Sequence, residues 1–433
     1  MIEMAKKTFI ALLAVMFLFS RSMDVYGQTI QTRFGKNRVQ YHDDFNNWWM
    51  YETDHFAVYW YGKGRNIVKA VIQLAELDHH EIQQFLGHTM NEKIRIIVYL
   101  DHSDYSQTNI AYLENELESG AGRAQFYDNK IVVFFNGDHT DLRKQIRSGI
   151  AKAYFYSMFQ GVNITDLYNG VNNSDMPSWI ITGLSDYLTD AWNVEFEEQL
   201  QFYFQNISRF KKGFKSLAKA DPVTAGHSMW YFLEQNYGKQ AVSDFLYYLR
   251  IQKSTKSAIE AVFDRSEREI YEDWRRFYKD YFHNQSIRPQ NGSFGQVLMK
   301  KNCPITRILP DVEAGKLYYI ENNVGRVKVK EFSLDASSKE KTLLKYGYKN
   351  EHQLTDQHYP LLAIDSSESS LGIIYEERDQ LKLRVLHIAT YEYIEHTFPE
   401  SIQRIYAFSF YEPGILLMSA STDGFSDLYF YDL

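Results

Sequence analysis

The stretch "DLRKQIRSGIAKAYF", residues 141–155, decides the fold of the first part of this chain. The apolar residues in and just after it recur at helical spacing: Leu142, Ile146, Ile150, Ala153 and Met158. This pattern predicts a helix over 142–159, with Thr140 or Asp141 as its N-terminal cap. No histidine, aspartate or glutamate occurs within 142–159, so the predicted helix carries none of the ligands that zinc prefers.

Strands precede this helix and further helices follow it. Alternating apolar residues in "FAVYWY" (56–61) predict a strand, and the long amphipathic pattern that ends at Gly87 predicts a helix. The apolar runs "KIRIIVYL" and "NKIVVFF" predict two more strands. Pro177 is placed to open a second helix, "PSWIITGLSDYLTDAW", and helical patterns then continue with an interruption at Gly238. This order predicts an α+β domain over 28–285.

The sequence changes in character after this domain. Residues 286–304 lack periodicity and carry proline, glycine and polar residues, which predicts a linker. Over 305–433, three pairs of short strands recur at a period typical of propeller blades. About three blades fit, whereas a closed propeller needs at least about four. We therefore expect an all-β partial propeller, either a fragment of a longer protein or a propeller completed by something else.

Residues 1–27 have the features of a cleaved signal peptide. Lys6 and Lys7 precede the apolar run "TFIALLAVMFLF", and the small-residue exit "VYG" ends the segment. The apolar run is shorter than the about 20 residues of a bilayer crossing, and no other segment approaches that length. The sequence predicts an exported protein with no transmembrane segment after signal cleavage.

Charge and cysteine content narrow the function classes. The formal net charge is −8, and no extended basic cluster occurs, so nucleic acid is not an expected partner. Cys303 is the only cysteine, which rules out an intrachain disulfide. Without an activating partner in the sequence, Cys303 is interpreted as a small buried side chain.

Residues 50–282 resemble the peptidase MA-like (gluzincin-type) domains of exported bacterial proteins. The matching segments are "DHFAVYWYG", "DLRKQIRSGIAKAYF", "PSWIITGLSDYL", "YFLEQNYGKQAVSDFL" and "SEREIYEDW". The second helix of that family usually reads P-x-W-x-x-E-G-L-A-E-Y. The positions that fit it are Pro177, Trp179, Gly183, Leu184 and Tyr187. In that family two histidines four residues apart on the first helix, with a glutamate between them, hold and use Zn²⁺, and a second-helix glutamate completes the site.

At all four zinc-site positions that the resemblance implies, this chain has a residue that cannot act as a zinc ligand or as the catalytic base. Ser148 and Lys152 stand where the two histidines belong, and Gly149 stands where the catalytic glutamate belongs. Thr182 replaces the ligand glutamate of the second helix, while Asp186 keeps an acid there. The resemblance therefore implies a pseudo-peptidase with no catalytic residue, no metal and no cofactor. Asp186 and Trp179 are the expected partner-binding residues of the cleft between the helices.

The C-terminal repeats resemble TolB-like (PD40) propellers, with "STDGFSDLYFYDL" (421–433) the best match. A peptidase-like domain followed by such a propeller is similar to envelope proteins of Gram-negative bacteria. The resemblance implies a periplasmic or outer-membrane-associated protein that binds another envelope protein.

Alternative functions remain open from the sequence. A hydrolase that acts on peptide or cell-wall material through a relocated site is one alternative, and it predicts a polar cleft with converging ionisable groups. Ser148 and Lys152 could also form a Ser–Lys hydrolase site, although the familiar spacing is i and i+3 rather than i and i+4. His79, His80 and Glu81 are adjacent on a helix and point in different directions, which favours a solvated face over a metal site. The aromatic clusters "NNWWMY" and "LYFYDL" leave a glycan-binding module possible, although alternating aromatics in strands are more often core.

Two loops are candidate metal sites, and one glycine-containing stretch is a candidate phosphate-binding loop. His102 and His139 follow strands in the acidic segments "YLDHSD" and "FNGDHTD", where a structural metal is an alternative to ordinary loop residues. The glycines before Arg123 lack the spacing of a phosphate-binding loop.

Overall fold

The structure is a computed structural model. It describes residues 47–100, 104–105, 125–127, 130–159, 176–205, 213–286, 298–299, 301, 303–323, 325–334, 340–347, 358–365, 369–377 and 380–433. The predicted signal peptide, His102, Arg123 and most of the predicted linker lie outside these residues.

The N-terminal part contains one five-stranded sheet. Its strands are β1 (Trp48–Glu52), β2 (Phe56–Tyr61), β3 (Ile94–Tyr99), β4 (Gln125–Tyr127) and β5 (Lys130–Phe134). Helix α1 (Arg65–Leu86) connects β2 to β3. The strand order is β1-β2-β3-β5-β4, with β2, β3 and β5 parallel and the two edge strands antiparallel to their neighbours. α1 ends at Gly87, whose φ of 60° is the left-handed conformation that suits glycine.

Among the described residues, seven further helices follow the sheet. They are α2 (His139–Met158), α3 (Trp179–Thr189), α4 (Val194–Gln205), α5 (Phe214–Ala220), α6 (Pro222–Gln252), α7 (Thr255–Phe263) and α8 (Glu267–Ser286). Helices α1, α2 and α3 share one hydrophobic core with one face of the sheet. Sequence alternation explains this face, because Phe56 and Val58 point into that core while Tyr61 joins a separate aromatic cluster.

Helix ends differ in detail from the sequence predictions. The cap of α2 is Asp138, whose carboxylate accepts from the backbone N–H groups of Thr140 and Asp141, so α2 begins one turn earlier than expected. Helix α3 begins at Trp179 rather than at Pro177. The predicted interruption at Gly238 is confirmed, since its φ of 84° breaks the helical backbone inside α6.

Helices α3 and α6 approach each other through two glycines. A Cβ atom built on Gly226 would lie 1.9 Å from the carbonyl oxygen of Trp179, and one built on Gly183 would lie 2.3 Å from Gly226 backbone atoms. Close backbone contact of this kind excludes any side chain at either position. Helix α3, which carries Thr182 and Asp186, is positioned by this contact.

The C-terminal part contains three antiparallel sheets. Their strands are β6 (Ile305–Asp311), β7 (Lys316–Asn323), β8 (Arg326–Ser333), β9 (Glu340–Tyr346), β10 (Leu361–Asp365), β11 (Ser370–Glu377), β12 (Gln380–His387), β13 (Tyr393–Thr397), β14 (Ile402–Glu412), β15 (Ile415–Thr422) and β16 (Phe425–Asp432). Two sheets have four strands in sequence order, and the third contains β14, β15 and β16.

The α+β class is confirmed in this coarse form, because helices and sheets both build the chain. The four sheets are separate, and none of them closes into a barrel or a propeller among the described residues. Neighbouring C-terminal sheets share apolar cores between their faces. Cys303 is only half-buried rather than buried.

The third C-terminal sheet contacts the loop that begins α2, and we call this contact the latch. The Tyr406 hydroxyl donates to the carbonyl oxygen of Gly137, and His139 Nε2 lies 2.8 Å from the carbonyl oxygen of Gly424. Gly137 and Gly424 both have positive φ, and a Cβ on either would clash, with Arg404 and with Ile67 respectively. The latch therefore depends on glycine on both sides.

Across the part of the chain that the structure describes, no helix combines the length and the apolar character needed to cross a membrane.

Candidate functional site

Helices α2 and α3 lie side by side and run in opposite directions. Arg147 Nε donates to the carbonyl oxygen of Leu188 at 2.9 Å, and Lys144 Nζ lies 3.5 Å from Asp190 Oδ2. The N-terminal half of α2 therefore faces the C-terminal end of α3. Ser148, Gly149 and Lys152 of α2 and Thr182 of α3 therefore lie on a pair of adjacent helices.

The three positions on α2 are buried. Ser148 is 1% exposed and Lys152 is 3% exposed. The Ser148 hydroxyl makes no hydrogen bond to any residue that the structure describes. Gly149 packs on β5, where an added Cβ would lie 2.3 Å from the Cγ2 atom of Ile131. A glutamate at 149 would need Ile131 to move.

On α3, Thr182 is satisfied within its own helix, while Asp186 faces α6. The Thr182 hydroxyl donates to the carbonyl oxygen of Ser178 at 2.9 Å. Asp186 Oδ2 lies 2.8 Å from Nδ1 of His227, and His227 Nε2 lies 2.9 Å from the carbonyl oxygen of Ala191. Thr182 and Asp186, on the same helix, therefore have different partners.

His227 is the site residue that the sequence interpretation missed. It is fully buried, and its ring stacks on Phe196 with centroids 3.8 Å apart. With both ring nitrogens engaged, His227 joins α3 to α6 rather than presenting a free base. Its signal in the sequence is a single histidine in the run "TAGHSMWYF", whose other residues are apolar or carry only a hydroxyl group.

Trp179, expected in the cleft, is a core residue instead. Its ring packs against Phe214 at 5.2 Å and Trp230 at 6.0 Å between centroids. Because the side chain is 3% exposed, it cannot contact a partner in this structure. Asp186 remains partly exposed and is the accessible member of the two predicted cleft residues.

An ion cluster around the buried carboxylate of Asp78 joins α1 to α2. The Asp78 carboxylate is fully buried and accepts from Nε and Nη2 of Arg143 at 3.0 and 2.6 Å. It also accepts from Arg147 Nη1 at 2.6 Å, and the same nitrogen donates to Glu81 at 2.9 Å. Arg143 binds the carboxylate through two nitrogens and Arg147 binds it through one, so three charge-assisted hydrogen bonds compensate the burial of this acid.

A polar cleft of about 430 Å³ opens beside this cluster. Its walls come from α1, the start of α2, the end of α3 and α6: Glu81, Arg143, Lys144, Arg147, Asp190, Glu234 and Lys239. Basic and acidic groups alternate around it. Ser148, Lys152 and Thr182 are not among the residues that line this cleft.

The histidine pair of α1 divides into one buried and one exposed ring. His79, expected on a solvated face, is buried; its Nε2 lies 2.7 Å from the Tyr154 hydroxyl and its ring stacks on His55 at 4.1 Å. Burial, together with the nearby His55, lowers the pKa of His79 below its ordinary value of 6.5. His80 is exposed and contacts Gln84. The described residues include no cluster of three metal-ligating side chains. His139 belongs to the latch, where its ring contacts the carbonyl oxygen of Gly424.

The free energy of unfolding should decrease as the pH is lowered, and His79 is the expected cause. The unfolded chain takes up a proton as pH falls through 6.5, whereas the folded chain resists it, so the unfolded state gains relative stability. We expect His79→Gln to flatten the decrease in free energy of unfolding between pH 7.5 and pH 5.5, measured by urea unfolding. The neighbouring exposed residue supplies the control, His80→Gln, which should retain the wild-type slope. Equal slopes for the two variants would contradict the role of His79.

Comparison with known proteins gives no match: no protein-family model matches the chain, and no curated protein sequence matches it.

Proposed function

We propose that this chain is a non-catalytic, exported envelope scaffold that binds a protein partner. In this proposal a peptidase MA-like domain without zinc ligands is joined to blades of a TolB-like propeller, and the protein is periplasmic or associated with the outer membrane. The observation that carries it is the pairing of α2 and α3 with Ser148, Gly149, Lys152 and Thr182 at the four zinc-site positions.

The chemistry of these four side chains supports the absence of catalysis. A hydroxyl, a hydrogen, an ammonium and a second hydroxyl provide no imidazole, thiolate or carboxylate for Zn²⁺. The packing of Gly149 on Ile131 points the same way, since the Ile131 side chain occupies the space that a catalytic glutamate would need. A fold can persist after its site is lost, and the surface is then free to bind a partner.

The C-terminal sheets support the propeller part of the proposal. Each contains a hairpin of two eight-residue strands joined by two residues: β7–β8, β11–β12 and β15–β16. Equal strand lengths in three successive sheets are typical of repeated blades.

Glycan binding is the second candidate, because aromatic side chains are exposed on the third sheet. Tyr411 and Phe430 are exposed, but their rings are tilted by 59° and form no flat platform. Leu417 and Leu428 complete the same face. A mixed aliphatic and aromatic surface favours a protein partner over a sugar ring.

Metal content and peptidase activity test the proposal. We expect elemental analysis of the protein, purified without chelator, to find far less than one zinc per chain, and no cleavage of a peptide library. A relocated Ser148–Lys152 hydrolase would instead show cleavage without zinc, and Lys152→Ala would abolish it. Stoichiometric zinc with peptide cleavage that Lys152→Ala leaves unchanged would overturn the proposal, because the site would then lie at other residues.

A further inference from the structure

The polar cleft beside Asp78 has a basic wall on α2. The Asp78 carboxylate accepts from two nitrogens of Arg143 and one of Arg147, so the orientation of both guanidinium groups is set from behind. Nη1 of Arg143 makes no hydrogen bond to any residue that the structure describes. Lys144, the next residue along α2, also lines the cleft. This wall therefore offers two cationic groups, one of them held in place, to a carboxylate.

The part of the wall that α6 contributes contains a carboxylate whose burial is poorly compensated. Glu234 lines the cleft, and 15% of its side chain is exposed. Among the described residues its one charged partner is Lys239, whose Nζ lies 3.9 Å from Oε1, and it makes no hydrogen bond. Burial raises the pKa of Glu234 above its ordinary value, and Lys239 offsets this only in part. An ammonium group that enters the cleft and donates to Glu234 would stabilise this carboxylate.

The break in α6 brings Lys239 to the same cleft. On a continuous helix, side chains at positions 234 and 239 would point about 140° apart. The backbone of Gly238 is not helical, and a Cβ atom built there would meet no atom within 4 Å, so its positive φ rather than close packing favours glycine. Glu234 and Lys239 both line the cleft as a result. The kink therefore contributes to the shape of the cleft.

Two ion pairs at the cleft are loose and can exchange partners. Lys144 Nζ lies 3.5 Å from Asp190, and Lys239 Nζ lies 3.9 Å from Glu234. Both distances exceed the about 2.7–2.9 Å of a charge-assisted hydrogen bond. The two lysine side chains are exposed, and exposed ion pairs contribute little to stability. A ligand with one positive and one negative end can therefore replace both pairs with little loss of stability.

The charge balance of the cleft selects the class of ligand. Four basic side chains line it, and so do three acidic ones, Glu81, Asp190 and Glu234. Asp78 offsets part of the basic charge from behind. A ligand with negative charge alone would be repelled by the three acids, whereas a ligand with a charge of each sign is complementary to both sets.

We propose that the polar cleft binds a short peptide with free termini, whose carboxylate contacts Arg143 and Lys144 and whose ammonium group contacts Glu234. The volume of about 430 Å³ lies within the range of small-molecule sites, about 300–1,000 Å³. Phe85 and Leu188 add apolar wall for the side chains of such a peptide. The inference goes beyond the proposed scaffold function and does not depend on it.

Alanine peptides of two, three and four residues are the probes, titrated into the full chain by calorimetry. We expect at least one length to bind, and the best length measures the separation of the two charged ends of the site. Acetylation of the amino terminus or amidation of the carboxyl terminus should each weaken binding by about tenfold or more.

Variants at the two ends of the cleft assign the contacts. Glu234→Gln should weaken the free peptide by about tenfold and leave the affinity of the acetylated peptide unchanged, while Lys144→Gln should reduce the effect of amidation. The matched control is Glu260→Gln, which removes the acid of another exposed ion pair, 4.0 Å from Lys256, and should not change binding.

Equal affinity of free and doubly blocked peptides would overturn the proposal, as would the absence of binding by every length at millimolar concentration. Tighter binding of inorganic phosphate than of any alanine peptide would assign the cleft to anions and would also overturn it. The blocked peptides are compared on the wild-type chain, so the result stands even if a variant fails to fold. The zinc and peptidase measurements do not involve this cleft, so the two proposals fail separately.

Discussion

Asp78→Ala is expected to lower the free energy of unfolding by about 3–5 kcal/mol, the range typical of removing one partner from a buried ion pair. The substitution leaves two guanidinium groups without their shared carboxylate. Arg147 is the more damaged of the two, since it is 13% exposed against 43% for Arg143. Urea unfolding at neutral pH measures the loss.

Glu81→Ala is the matched control for this prediction. Glu81 accepts from the same nitrogen of Arg147 but is 66% exposed, and exposed pairs contribute about 0–1 kcal/mol. If the two substitutions cost the same, the buried carboxylate is not what holds α1 to α2. Helix propensity does not explain the expected difference, because replacing aspartate by alanine gains more helix propensity than replacing glutamate by alanine.

Gly226→Ala should destabilise the chain by about 2–3 kcal/mol, because overpacking against backbone cannot be relieved by a side-chain rotation. The new methyl group would lie 1.9 Å from the Trp179 carbonyl oxygen and 2.8 Å from the Cα of Gly183. Helices α3 and α6 would have to separate. Thermal or urea unfolding provides the measurement.

Gly149→Ala is the control, since it has the same gain in helix propensity in an equally buried helix. Its methyl group would meet the side chain of Ile131, which can rotate, rather than backbone. We expect a cost at least about 1 kcal/mol smaller than for Gly226→Ala. A larger loss of stability for Gly149→Ala than for Gly226→Ala would mean that helices α3 and α6 can move apart more easily than α2 can move away from the sheet.

Much of the fold could be predicted because burial leaves a periodic pattern. The apolar alternation in β2 and the helical spacing in α2 both match the structure. The cap of α2 was placed wrongly because three candidate residues, Asp138, Thr140 and Asp141, lie within four positions. Only the backbone conformation of Asp138, which is extended, distinguishes it.

The site was less predictable, because its partners come from distant parts of the chain. Nothing local in the sequence joins His227 to Asp186, which are 41 residues apart. His79 was expected in solvent because its neighbours are polar, yet Tyr154 and His55 enclose it from other elements. Trp179 was read as a cleft residue from its position in a motif, whereas its size made it part of the core.

The latch has a consequence for the order of folding. His139 and Gly424 are separated by 285 residues, so their contact closes a very long loop. Closing such a loop lowers the entropy of the chain before the contact can stabilise it, whereas the hairpins and the α1–α2 core form between residues that are closer in sequence. We therefore expect the latch to form last, after both parts of the chain have acquired their own cores. A refolding experiment should then detect native helix content before the environment of Tyr406 becomes native.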